Sequence, residues 1–243
     1  MLDQESLRKY LIYAIGEILL VVIGILIALQ VNNWNVQVNK RNQELHYLEN
    51  IKKDLLLNIA QMDEYIEDRT KKVQSASIVL EHFEGKPITD PNEFNAHLQN
   101  IYTWQRFFQV NNTFQELTYS GNLALISNDS IKNTLLTLET LYQVLKAEEG
   151  HFRFDSETAL FEPGYRTQDI NRFIKSHIYY ISDGKEGEDV KITPDEFNVI
   201  LKDLKQKNGF VMAFFEFSVM NEQMDEMKKM SKSLIELIDK ELK

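Results

Sequence analysis

The sequence predicts an all-α protein: one N-terminal transmembrane helix followed by an elongated extracytoplasmic helical bundle. Three observations lead there. Residues 10–35, "YLIYAIGEILLVVIGILIALQVNNWN", are the least soluble stretch of the chain, and between Leu11 and Val31 only Glu17 and Gln30 are polar. Four prolines and nine glycines in 243 residues leave little room for tight turns, which favours long helices. Two long segments, near the start and at the end of the remaining chain, carry apolar residues at three- and four-residue steps.

The first element is the apolar run. As a helix rising ~1.5 Å per residue, Leu11 to Val31 spans the ~30 Å hydrocarbon layer of a bilayer. Tyr10 and Tyr13 stand at one end and Trp34 at the other, positions where amphipathic rings favour the interface. A cleaved secretory signal is the competing reading. The run is too long for it, and Ala28-Leu29-Gln30 is a poor small-x-small cleavage site, so a retained anchor is expected. Arg8 and Lys9 precede the span, whereas the first basic residues after it are Lys40 and Arg41. The positive-inside bias then keeps residues 1–9 in the cytoplasm, residues 10–32 in the inner membrane, and residues 33–243 outside, in the periplasm of a Gram-negative cell.

In the outer domain Leu45, Leu48, Ile51, Leu55, Ile59, Met62, Ile66, Val73, Ala76, Leu80 and Phe83 form an amphipathic stripe. That helix either continues the membrane helix or breaks near Asn32-Asn33, and Gly85 and Pro87 stop it. Asp90 as cap, Pro91 and Glu93 start a second helix, expected to run to about Val110. "NNTFQELTYSGN" is a short helix closed by Gly121, and another helix starts near Ser127 or Asn128 and passes Leu145. Pro163-Gly164 reads as a turn, Thr167 as a cap, and "SDGKEGED" as a surface loop. Thr193, Pro194 and Glu196 repeat the capping logic for a helix ending at Asn208-Gly209. Last, Phe210, Ala213, Phe217, Met220, Met224, Met227, Ser231, Leu234 and Ile238 make a narrow heptad seam of coiled-coil type, whose natural mate is the Leu45–Phe83 stripe.

Two blocks carry a resemblance. "YAIGEILLVVIGILIALQVNNWN", followed by the charged helix "NKRNQELHYLENIKKDLLLNI", resembles the opening of an uncharacterised family of single-pass membrane proteins common in Bacteroidetes. "TFQELTYSGNLALISNDSIKNTL" is similar to that family's TxxEL…SGxLxLIxNxxLRxxL block, with Lys132 where the family often has Arg. The resemblance implies the single-pass topology and no particular chemistry.

Composition limits the function classes. The net charge is −10, and residues 1–32 contribute little of it, with Arg8 and Lys9 against Asp3, Glu5 and Glu17. So acidic a domain repels phosphate backbones, and no nucleic-acid partner is expected. With no cysteine there is no disulfide and no thiolate metal site. His46, His82, His97, His151 and His177 make no close ligand pair, and Asp183, Glu186, Glu188 and Asp189 lack the spacing of a calcium loop, so no metal is expected. Met220, Met224, Met227 and Met230 could hold Cu(I), but three of them lie on the heptad seam, where methionine fills cores. No nucleophile motif, phosphate loop or dinucleotide fingerprint is present, and neither catalysis nor a cofactor is expected.

Two candidate sites remain. Glu17 lies some six residues into the span, where a charge costs ~2.5 kcal/mol or more. Ala14, Glu17, Val21, Gly24 and Ala28 share one heptad seam with small members that allow close helix approach. Separately, Tyr102, Trp104, Phe107, Phe108 and Phe114 could line an apolar pocket for an unidentified small molecule, or simply fill the core. The expected function is an accessory or structural subunit in the lipid bilayer, joined to a second copy or another membrane protein. The alternative is a ligand-sensing domain signalling through a membrane partner. With only about nine residues before the span there is no output domain at that end, which favours the accessory reading.

Overall fold

A computed structural model describes the backbone of residues 4–243 and the side chains of Arg8 and residues 11–243. Residues 1–3 of the expected N-terminal tail, and the Tyr10 side chain, lie outside the described residues. Every regular element among the described residues is helical.

Helix α1 runs unbroken from Gln4 to Phe83, through Asn32-Asn33. Its 80 residues make a rod of about 120 Å. Residues 17–40 are exposed on every side, and the first residue tied to another element is Arg41. The apolar portion is long enough to cross a membrane and buries none of its surface inside the protein. From Glu44 onward the same helix forms the spine of a bundle, burying Leu48, Ile51, Leu55, Met62, Ala76 and Val79.

Helix α2 is Pro91–Tyr102, capped as expected by Asp90, whose carboxylate accepts the Asn92 and Glu93 amides at 2.9 and 3.1 Å. It stops at Thr103 instead of near Val110, and residues 103–111 cross the bundle in non-helical form. Helix α3, Asn112–Tyr119, closes at Gly121, whose φ of 73° is the left-handed conformation glycine adopts freely. A 3-10 turn, Asn122–Leu125, leads to α4, Asp129–Ser156, capped by Asn128. Pro163-Gly164 is not a turn. A single π-type turn, Glu157–Phe161, carries α4 into α5, Glu162–Thr167, and its wider bonding, with the Glu162 amide on the Glu157 carbonyl, accommodates Pro163, which has no N–H to donate. Thr167 ends α5, and the cap of α6, Ile170–Ile181, is Asp169.

The Thr193–Glu196 capping box forms, with the Thr193 amide on Glu196 at 2.8 Å, but it opens a 3-10 turn and a short α7, Asn198–Leu201. The expected stop at Asn208-Gly209 is also absent. Asp203 caps α8, Leu204–Glu241, which passes straight through both residues. Gly209 is there for contact: a Cβ on it would lie 2.6 Å from Leu160 Cδ2 and 3.0 Å from Ala159 Cβ, so the helix and the π turn touch backbone to side chain.

The seam of α8 is as expected. Phe210, Ala213, Phe217, Met220, Met224, Met227, Ser231, Leu234 and Ile238 are all buried. Helix α8 runs antiparallel to α1, its chief mate, with Lys207 paired to Glu84, Lys228 to Asp63 at 2.9 Å and Lys52 to Asp239 at 2.5 Å. Helix α4 completes the core along α8. Helices α2, α5, α6 and α7 cluster at the Phe83 end, far from the apolar segment.

Candidate functional site

Three places combine exposure or cavity with unusual chemistry, and the sequence singles out parts of each. The first is the apolar seam of α1. Ala14, Glu17, Val21, Gly24 and Ala28 are all exposed, and a Cβ on Gly24 would meet nothing within 4 Å. Among the described residues no packing requires a small residue at 24. Tyr13 and Trp34 are exposed as well, about 30 Å apart along the helix, the thickness of a hydrocarbon layer.

The second is the crossing segment 103–111. The aromatic set expected to share a pocket is dispersed over it and the helices that flank it. Phe107 is buried at 2 % exposure, edge-on to Tyr65 and Tyr142, while its neighbour Phe108 is 72 % exposed. Trp104 packs on Phe152, and Phe108 and Phe114 border a shallow hollow of about 380 Å³ that Tyr102 does not reach. The five rings do not form one pocket, because they are split among α2 (Tyr102), the non-helical crossing segment (Trp104, Phe107, Phe108) and α3 (Phe114).

What holds that backbone is polar. Asn58 both donates to the Val110 carbonyl at 2.7 Å and accepts its amide at 2.8 Å. Tyr65 donates to the Arg106 carbonyl at 2.6 Å, and Glu149 accepts the Phe107 amide at 3.0 Å while paired to Arg69. Arg69 and Glu149 are 1 % and 2 % exposed. Sequence reading passed over these residues because they are polar, yet continuing three- and four-residue steps from Leu55 to Met62, Ala76 and Val79 lands on Asn58, Tyr65, Arg69 and Lys72. The signal was the unbroken spacing.

The third place is the head formed by α2, α5 and α6. Asn95 donates to the Phe173 carbonyl at 2.8 Å and Ser176 to Asn92 at 3.1 Å, fixing α6 on α2. Between them and α5 opens a cleft of about 500 Å³ with walls of Phe161, Tyr165, Ile170, Ile174, Ile178 and Ile181. Of the expected aromatic set, Tyr102 alone lines it, its ring 5.2 Å from that of Phe161. The Tyr102 hydroxyl, both polar atoms of the Gln168 amide beside it and His177 Nδ1 are buried without a hydrogen bond of good geometry. Burial pushes the Tyr102 phenol well up, an effect the Gln168 amide offsets only in part. Burial, then the nearby Lys72 charge, holds the His177 imidazole below its ordinary value, so both groups are neutral near pH 7.

Elsewhere His151, Asp155 and Glu216 come together across α4 and α8 with ligand atoms within 4.8 Å, although the histidines show no such pairing in sequence. His151 Nδ1 lies 2.8 Å from Glu216 Oε1 and 3.9 Å from Asp155 Oδ2. Hydrogen bonding to Glu216 raises the His151 imidazole, and desolvation raises the Glu216 carboxyl. His151 is 61 % exposed, and the contact reads as a surface ion pair anchoring a nearly buried carboxylate. The four methionines are core or partly buried: Met220, Met224 and Met227 lie in the hydrophobic core, and Met230 packs against it. Lys132 is bonded to Asp129 at 2.6 Å on the surface of α4. The acidic loop residues Asp183, Glu186, Glu188 and Asp189 are solvated, with Glu188 on Lys175 at 2.7 Å.

Comparison with known sequence families matches residues 17–152 to a family of unknown function, DUF6090. Neither a curated protein nor a solved structure matches the chain.

Proposed function

The chain belongs to DUF6090, a family of unknown function, and from its geometry we propose that it is a single-pass membrane protein acting as an accessory or structural subunit. In this reading the apolar part of α1 spans the inner membrane with its N-terminus in the cytoplasm, and the bundle stands outside it. The seam of Ala14, Glu17, Val21, Gly24 and Ala28 packs against another membrane helix, from a second copy or a different protein.

The observation that supports this reading is that a segment exposed along its whole length also carries an ionisable group. Among the described residues nothing covers residues 17–40, and in this reading the surroundings of Glu17 are supplied by lipid and a partner helix. A carboxyl at that depth is stabilised when it faces a partner helix, and Gly24 and Ala28 beside it permit the close approach that membrane helices need.

Purification of the full chain in mild detergent tests it. The protein is expected to elute as a complex, with another membrane protein or as an oligomer, and Gly24→Leu is expected to break that complex while leaving the bundle folded. A monomer whose behaviour Gly24→Leu does not alter contradicts the proposal.

A further inference from the structure

The cleft at the head is unlike the rest of the bundle surface. Its walls are apolar, and Tyr165, Ile174 and Ile181 remain more than two-fifths exposed although they border a cavity that could cover them. Three of the buried polar side chains around it, Tyr102, Gln168 and His177, are in turn unsatisfied. A buried hydroxyl, amide or imidazole nitrogen without a partner is costly, and natural proteins rarely collect several in one place. Here Tyr102, Gln168 and His177 do so together, each on a different segment.

The geometry points to this cleft as the binding site of a small uncharged amphiphile, with a hydrocarbon body and a single hydroxyl, ester or amide group. The isoleucines and Phe161 take the body, and the Tyr102 hydroxyl and His177 Nδ1, both in the cleft lining, supply a donor and an acceptor for the polar group. The absence of formal charge on any lining residue selects against ions. The charge felt at His177 is that of Lys72, which is itself paired with Asp68 at 3.1 Å. The volume of about 500 Å³ suits a ligand of ordinary metabolite size rather than a phospholipid. Such a site sits at the far end of the bundle from the apolar segment and is independent of the helix contact proposed above.

The test uses the full chain in phosphatidylcholine nanodiscs and a photoactivatable octanol bearing a diazirine, with octanoate and octylammonium carrying the same group as matched probes. Labelled residues are mapped by mass spectrometry. The alcohol is expected to label residues 161–181 saturably, roughly tenfold more than either ion. Tyr102→Phe is expected to cut that labelling by up to about tenfold, and Ile178→Trp, which fills the cleft, to abolish it. Labelling that does not saturate, that is equal for the three head groups, or that survives both variants overturns the assignment. The comparison of head groups needs no variant, so a failure of either to fold leaves the test intact. A cleft that seats only water or a partner's side chain gives no saturable labelling, and that outcome also overturns it.

Discussion

At Arg69 and Glu149 the protein places a full ion pair inside the core, and the reason is the backbone beside it. Glu149 bonds both the guanidinium and the Phe107 amide, so one carboxylate satisfies a charge and an extended segment at once. Arg69→Met strands that carboxylate and is expected to cost ~3–5 kcal/mol in chemical denaturation. Adding Glu149→Gln removes the stranded charge yet keeps an acceptor for Phe107, and the double variant is expected to recover part of the loss. If the single and double variants are equally destabilised, the charge is not what matters. His151 gives a pH signature. Its folded-state value is raised above its ordinary 6.5 by Glu216, so the stability it contributes is complete below that value and fades as pH rises through the folded one. Glu216, also raised, acts with the same sign. The melting temperature is therefore expected to decline as pH rises above about 6.5. His151→Gln is expected to flatten that slope.

Among the elements, helices that carry a cap and an apolar period are the ones sequence anticipates. Asp90 and Asn128 start helices as their chemistry dictates, and the α8 seam is buried along its length. The misjudged boundaries have tertiary causes. Residues 103–111 have no local reason to leave the helix after Tyr102; they do so because Asn58, Tyr65 and Glu149, distant in sequence, take up their backbone groups. Pro163 and Gly209 look like breakers, but a π turn accommodates one and a close approach to Leu160 requires the other. The cleft was illegible for the same reason: Tyr102, Gln168 and His177 share no spacing and meet only through packing. Gly209→Ala is expected to destabilise by ~1–3 kcal/mol, since the fully buried Leu160 has nowhere to retreat. Gly150→Ala, in helix α4 with nothing within 4 Å of its Cβ, is expected to be neutral or mildly stabilising in the same thermal assay.

For the molecule as a whole, one uninterrupted helix joins the apolar segment to the far end of the bundle. From Trp34 to Phe83 it extends about 70 Å, so the head is held well away from any membrane that the segment crosses. Helix α8 returns along α1 and is tied back at Arg41, which bonds Glu44 at 2.6 Å and Glu241 at 3.0 Å. At this end hydrogen bonds from Ser127 and Arg41 outweigh burial and hold the Glu44 carboxyl below its usual range. The bundle is thus closed on itself just above the apolar segment, and that segment is left free to meet something else. Because the chain has no cysteine, single cysteines can be placed one at a time from 14 to 28 and crosslinked in native membranes. Helix contact through the proposed seam predicts yields that peak at 14, 17, 21, 24 and 28 and fall on the opposite face. Equal yields around the helix, or none, contradict it.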